Sequence, residues 1–286
     1  VKLRVLDLFS GIGGFSLGLE RSKYDGEING FETVAFCEIE EFPRRVLAKH
    51  WPNVPCYRDV RKLTAEQLAA DGIAVDVICG GFPCQDISTA GKGAGLAGER
   101  SGLWSEIARL VGELAPRFVI VENVAALLGR GLGDVLGDLA SLGYDAEWHC
   151  IPASAVGAPH RRDRVWIIAY AAQFWRDERG YFDTKGAGRM EQPVGGSCSF
   201  LADTISKRRS RQGPYWDACN SAPLIQRKAV DAFHGRVARQ WAIEPDVGRV
   251  AHGVPDRAHR LKSLGNAVVP QIPELIGNAI LESINQ

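Results

Sequence analysis

The sequence has no apolar run near the roughly 18 residues that a membrane-spanning helix needs, which excludes a helical membrane protein. Low-complexity tracts are missing too. With 45% hydrophobic and 24% charged residues over 286 positions, the composition is that of an ordinary globular fold. Close cysteine pairs are absent. The seven cysteines stand at 37, 56, 79, 84, 150, 198 and 219, an odd number without a Cys-x-x-Cys spacing, so no zinc site or disulfide framework is expected. Most of these thiols are expected as small buried apolar residues. No basic-then-apolar leader stands before the strand-like stretch Val1 to Leu8, so a cytoplasmic protein is expected. Net charge is also absent, 34 Lys and Arg balancing 34 Asp and Glu. The balance is uneven, because residues 176 to 262 hold 16 Lys and Arg against 10 Asp and Glu. That basic third suits a polyanionic partner; a solvated surface is the alternative.

What is present is an alternation of apolar runs and helical periods. Val5 to Phe9 runs into Ser10-Gly11-Ile12-Gly13-Gly14 and then a helical stretch through Leu17, Leu19 and Glu20, which predicts strand, glycine turn, helix. Val34 to Glu38 predicts a second strand ending in an acid, followed by a helix from about Glu41 to His50. Val75 to Cys79 and Phe118 to Glu122 predict buried strands separated by a helix over Leu103 to Leu114. A helix over Leu132 to Leu142 and strands near Ala146 to Ile151 and Arg164 to Tyr170 complete the series. The predicted architecture is α/β, a doubly wound and mostly parallel sheet covered on both faces. From Phe174 to about Val250 the chain is rich in Gly, Arg, Ser and Trp without a sustained apolar period, which predicts a small irregular second domain. Ile272 to Ile284 resumes a helical pattern and is expected to return to the first domain.

Ligands of such sheets sit outside the carboxyl ends of the strands, where the chemically suggestive residues of this sequence fall. Gly11, Gly13 and Gly14 let a backbone turn approach a ligand at a helix start, but they depart from the full dinucleotide fingerprint. Glu38 is placed to accept hydrogen bonds from ribose hydroxyls, and Asp59 from an adenine amino group; a solvated strand end is the alternative for either acid alone. Together the three strand ends suggest a cofactor that contains adenosine but no strongly anionic pyrophosphate. Cys84 follows Pro83 at a loop start rather than inside an apolar strand, where a nearby positive field would lower its pKa. The Gly/Ser-rich stretch from Asp86 to Gly102 suggests a lid. Glu122, at the end of its strand, is a carboxyl able to share a proton with a ring nitrogen. Arg162 and Arg164 alternate toward the last strand and bring cations to the same edge, while Arg161 reads equally well as a solvated basic turn.

The residues resemble the DNA (cytosine-5) methyltransferases. The matching segments are Asp7 to Phe15, Gly81-Phe82-Pro83-Cys84-Gln85, Glu122-Asn123-Val124, Arg162-Asp163-Arg164 and Gly265-Asn266-Ala267-Val268-Val269-Pro270, all in the family's order. The resemblance implies the class I, S-adenosylmethionine-dependent methyltransferase sheet over residues 1–172 and 260–286, with a target-recognition domain over 173–259. It implies that Phe9, Gly11, Gly13, Gly14, Glu38, Ile39, Asp59, Val60, Pro83, Leu103, Asn266 and Val268 contact the cofactor, whose product is S-adenosylhomocysteine. Cys84 is then the nucleophile, and Glu122, Arg162 and Arg164 grip and activate the base. Double-stranded DNA is the implied partner, with Gln85, Ser88, Arg100, Lys207, Arg208, Arg209 and Arg211 on it. A monomer of bacterial or phage restriction-modification type, with any cognate nuclease acting separately, completes the expectation. Three positions depart from the pattern. His160 stands where the family usually has Gln, and Ile39 where a Trp often stacks on adenine. The usual Arg- and Glu-containing motif before the core resumes is replaced by Trp241 to Leu261.

The implied chemistry needs these groups. Thiolate addition at carbon 6 of cytosine makes carbon 5 nucleophilic, and a proton held at nitrogen 3 drains the charge. Carbon 6 is out of reach in a stacked duplex, so the base must be flipped, and basic residues offset that cost through phosphate contacts. Three other readings compete. A tRNA cytosine methyltransferase shares the first motifs, but its Cys-Phe-Thr signature is absent. A silent nucleic-acid-binding module would have no use for Cys84, Glu122 and both arginines. A nicotinamide-dependent oxidoreductase would need the full glycine fingerprint.

Overall fold

The computed structural model describes residues 2–24, 26, 28–83, 101–171 and 256–285. Its framework is a seven-stranded sheet. The strands are β1 (Leu3–Leu8), β4 (Phe31–Cys37), β5 (Cys56–Tyr57), β6 (Val77–Gly80), β7 (Phe118–Val124), β8 (Tyr144–Pro152) and β9 (Asp163–Ala171), and a small hairpin pairs β2 (Lys23–Tyr24) with β3 (Ile28–Asn29). The order across the sheet is β5-β4-β1-β6-β7-β9-β8. β5, β4, β1, β6 and β7 run parallel, and β9 is inserted antiparallel between β7 and β8. From β1 the chain winds outward through β4 and β5, then returns to β6 on the other side of β1. The switch in winding direction therefore lies between β1 and β6, where α/β sheets leave a crevice.

The predicted elements stand close to where periodicity put them. The helix α1 (Gly14–Arg21) follows the glycine turn, and α2 (Glu41–His50) covers the expected span. A short α3 (Ala65–Ala70) precedes β6, and α4 (Trp104–Leu114) stands behind a tight turn at Ser101–Leu103. A single turn, α5 (Leu127–Arg130), leads into α6 (Leu132–Ser141). Both faces of the sheet are covered, which is why the strands are continuous apolar runs rather than alternating ones. One face brings Leu6, Leu8, Ile78, Val119, Val121 and Ile167 against Ile107, Leu110 and Val111 of α4 and Val135 and Leu139 of α6. The other brings Val5, Val77, Cys79, Phe118, Ile120 and Trp166 against Phe15 and Leu19 of α1. Ile272, Ile276 and Ile280 close the same face from the last helix, Gln271–Ile284. Neighbours in each strand thus feed opposite layers.

Just before that last helix stands α7 (Arg257–Asn266), an exposed helix fastened to the start of α2 by a Lys262–Glu40 ion pair and by His259 stacked on Phe42. The last helix, α8 (Gln271–Ile284), lies on α1 and β2, though about 250 residues of sequence separate them. Contact this close requires glycine. A β-carbon on Gly18 would come within 2.2 Å of the Pro270 carbonyl oxygen, and one on Gly277 within 2.1 Å of the Ser22 hydroxyl. The basic third of the chain lies mostly at 172–255, outside the described residues, and so does the expected recognition domain. Among the described residues no helix is long and apolar enough to cross a membrane.

Candidate active site

Because β5, β4, β1, β6 and β7 are parallel, their carboxyl ends form one edge. Along it, in spatial order, stand Asp59 after β5, Glu38 after β4, the turn at Phe9–Gly14 after β1, Pro83 after β6, and Glu122 near the end of β7. The antiparallel β9 starts at the same edge, so Arg164, paired in register with Val124, joins the row. Sequence positions more than a hundred residues apart meet in one crevice.

The glycine turn is held by backbone contacts. Phe9, Gly11 and Gly13 all have positive φ (53°, 53° and 83°), which turns the chain sharply from β1 into α1. The amide of Gly11 donates to Glu38 Oε2 at 2.8 Å, and the amide of Glu40 donates to Glu38 Oε1 at 2.7 Å. Glu38 was expected to serve ribose hydroxyls; here each of its oxygens already accepts a backbone N–H, Oε2 latching the turn to the end of β4 and Oε1 bracing the start of α2, with a lone pair left over on each. Burial raises the Glu38 pKa, and the two amide hydrogen bonds oppose that. Beneath the turn, the Trp51 indole N–H donates to the Glu20 carboxylate, and the Trp51 ring occupies the space a Gly13 side chain would need. On the outer side Gly14 faces Val268, whose carbonyl oxygen would lie 2.7 Å from an added β-carbon.

The cofactor positions divide into open and closed ones. A β-carbon on Gly11 would meet nothing within 4 Å, and Ile39 is 62% exposed beside it, so this stretch of the edge is an open cradle. Asp59 holds Arg61 in a two-pronged ion pair that keeps its carboxyl below the usual range. At Val60 the side chain is buried in the core beside Leu63 and Leu68, and the carbonyl accepts from Arg109. Leu103 is half-buried against the same core, Pro83 is half-buried, and Asn266 is exposed at the end of α7. An open glycine turn between carboxylates on neighbouring strand ends suits the adenosine of S-adenosylmethionine and offers donors to its carboxylate at the start of α1.

The other half of the edge is built from charged side chains. Arg164 Nε lies 2.9 Å from Glu122 Oε1, and both side chains are largely buried. Burial raises the Glu122 pKa, and Arg164 and then Arg162 pull it back. The second carboxylate oxygen lies over Gly81, 3.0 Å from where a β-carbon would sit, so a side chain at 81 would press on the Glu122 carboxylate. Asn123, buried on the opposite side of β7, donates from Nδ2 to the Phe82 carbonyl at 3.2 Å and fixes the approach to Pro83. The motif Glu122-Asn123-Val124 marked Asn123 in the sequence without showing its role; strand alternation beside Glu122 was the available signal. Arg162, expected to grip a base, donates from Nη1 and Nη2 to the carbonyls of Gly265 and Ala267 at 2.6 and 2.9 Å. Asp7 had no role in the sequence pattern either. It is fully buried, accepts from Ser16 Oγ at 2.7 Å, and burial lifts its pKa to about 7. Cys84, Gln85, Ser88, Arg100, Lys207, Arg208, Arg209 and Arg211 lie outside the described residues.

Residues 3–197 match the family model described as C-5 cytosine-specific DNA methylase. The chain is 34% identical over 175 residues to the type II methyltransferase M2.BsuMI of Bacillus subtilis, covering 58% of this chain and 42% of that protein. With M.BanI of Aneurinibacillus aneurinilyticus it shares 31% over 245 residues, 84% of this chain and 53% of the other. The chain thus spans about half the length of the curated relatives it matches. Among solved structures, a putative DNA modification methyltransferase encoded within a prophage of E. coli superposes with TM-score 0.61 at 20% identity, over the whole of both chains. Entamoeba histolytica methyltransferase EhMeth gives 0.61 at 14%, also over both whole chains. These two likenesses establish the class I methyltransferase fold, and the family match, spanning more than half of the sequence and both ends of the Glu122–Arg164 pair, establishes more: the chain belongs to the C-5 cytosine-specific DNA methylase family.

Proposed function

We propose that this protein transfers a methyl group from S-adenosylmethionine to carbon 5 of a cytosine flipped out of duplex DNA, with Cys84 as nucleophile. The observation that carries this reading is the largely buried Glu122–Arg164 pair at the crevice edge, against Gly81 and three residues before the sequence reaches Cys84. A buried carboxyl with a raised pKa holds a proton more readily than a solvated one, which is what a ring nitrogen accumulating charge requires.

The Cys84 thiolate adds to carbon 6 while Glu122 holds a proton at nitrogen 3. Arg164 fixes the Glu122 carboxyl through Nε, braces itself by donating from Nη1 to the Asp163 carbonyl, and offers the N–H groups that are left to the cytosine carbonyl oxygen. Asn123, by holding the Phe82 carbonyl, aligns the segment leading to Cys84. When bound, S-adenosylmethionine would supply the electrophilic methyl group to carbon 5 and leave as S-adenosylhomocysteine. The carbon 5 proton then passes to water, the Cys84–carbon 6 bond breaks to restore the thiolate, and the proton at nitrogen 3 returns to Glu122. The turn at Gly11 and the edge residues Ile39 and Asp59 hold the adenosine, and Asn266 and Val268 the methionine portion. The basic residues between 176 and 262 hold the phosphates, and one chain acts on its own, independently of any cognate nuclease.

The test offers methyl-labelled cofactor with duplex DNA and with tRNA, side by side. Label is expected in DNA at carbon 5 of cytosine, and Cys84→Ser is expected to abolish it while cofactor binding survives. Label in tRNA alone, or full activity in Cys84→Ser, would overturn the reading.

A further inference from the structure

We infer that Arg162 is a positioning residue that fastens the segment bearing Asn266 and Val268 to the base-side wall of the crevice, and so sets cofactor affinity. The inference rests on the proposed cofactor reading for those two residues. Its own basis is where the guanidinium goes. The helix α7 ends at Asn266, so the Gly265 and Ala267 carbonyls on either side have no partner further along the helix. Arg162 straddles Asn266 and donates to both, Nη1 to Gly265 and Nη2 to Ala267. A cation at a helix carboxyl end is also favoured by the helix dipole.

The other side of the segment is closed by close packing. Val268 lies against Gly14 and Pro270 against Gly18, both too near for any side chain on α1. Residues 265–270 are therefore held between α1, which carries the cofactor turn, and Arg162, which leads into β9 and the Arg164–Glu122 pair. The Arg162 backbone has φ 41°, a left-handed conformation that a side chain of this size rarely adopts, and its carbonyl accepts from the Ala153 amide at 3.3 Å. From that backbone the guanidinium reaches the carboxyl end of α7. Glu122 meanwhile has its ion pair with Arg164, and Arg162 reaches it only through space. The two arginines of one short motif thus divide their work: Arg164 serves the base, and Arg162 joins the base half of the site to the cofactor half.

The test compares the full chain with its Arg162→Gln and Arg162→Lys variants in calorimetric titration with S-adenosylhomocysteine without DNA. Hydrogen exchange of the 264–269 amides and the KM and kcat for methyl transfer complete the set. Arg162→Gln is expected to weaken S-adenosylhomocysteine by about tenfold or more and to raise KM for S-adenosylmethionine by a similar factor. At saturating cofactor, kcat should fall by less than about threefold, and exchange at 264–269 should quicken. Arg162→Lys should recover part of the affinity, because an ammonium reaches one carbonyl but cannot straddle two; it also serves if the Gln variant fails to fold. S-adenosylhomocysteine affinity within about twofold of wild type, or a loss confined to kcat, would overturn the inference. A wild-type chain that takes up no S-adenosylhomocysteine would instead overturn the cofactor reading on which it rests.

Discussion

Glu38 and Glu122 are the same residue type, both largely buried at strand ends on one sheet edge, and burial raises the pKa of both. Their partners differ. The Glu38 oxygens accept from two backbone amides, Gly11 in the turn and Glu40 at the start of α2, which cannot leave without unmaking the local backbone. Glu122 is held by the Arg164 side chain and by the smallness of Gly81. A carboxylate bound by backbone is part of the architecture, whereas one bound by a side chain can take up a proton or a substrate and return. The crevice therefore has a fixed half at β4–β1 and a responsive half at β7–β9.

The comparison breaks most sharply at Glu122. Glu122→Gln keeps the shape and an acceptor for Arg164 but cannot deliver a proton, so methyl transfer is expected to fall by roughly a hundredfold or more. S-adenosylhomocysteine affinity should stay within about twofold in the same calorimetric titration. Equal losses of turnover and affinity would show that the two halves are not distinct.

Glu38→Gln is the counterpart. One amide oxygen can still accept, but the new –NH2 group must face a backbone N–H, which costs about 1–3 kcal/mol. Thermal unfolding should shift down by several degrees, and S-adenosylhomocysteine should bind more weakly, with turnover at saturating cofactor little changed. A variant that unfolds like wild type and loses only turnover would place Glu38 in the responsive half.

The smallest effect is expected at Asp7, beneath the fixed half, where burial lifts the pKa to about 7 and the nearby Glu38 and Glu20 add to the rise. The folded chain binds this proton more tightly than the unfolded one, whose Asp titrates near about 4. Stability from this group is therefore full below about pH 4 and is lost as pH rises through about 7. Asp7→Asn can still accept from Ser16 and should flatten that decline, as measured by urea unfolding at about pH 5 and about pH 8. An unchanged pH slope would mean that Asp7 does not titrate in this range.

Much of this was legible in the order of residues alone. Buried parallel strands appear as unbroken apolar runs because both faces are covered, and α2 was placed by period at Glu41–His50. Glycines in the turn, Glu38 and Glu122 stood out because strand ends are where α/β sheets bind ligands. The antiparallel insertion of β9 was not legible, since an apolar run carries no sign of its direction. Nor was the burial of Val60, which depends on how α3 and α4 close over it.

The sequence by itself determined the kind of fold and the residue types of the site, because periodicity and local chemistry are properties of neighbours in the chain. Which neighbours those residues keep was decided only by the tertiary structure. Glu38 latches a turn 27 residues away, and Arg162 reaches carbonyls 103 and 105 residues further on. A hydrogen bond depends on where donor and acceptor stand in space, so closing the sheet turned two similar acids and two similar arginines into four different parts.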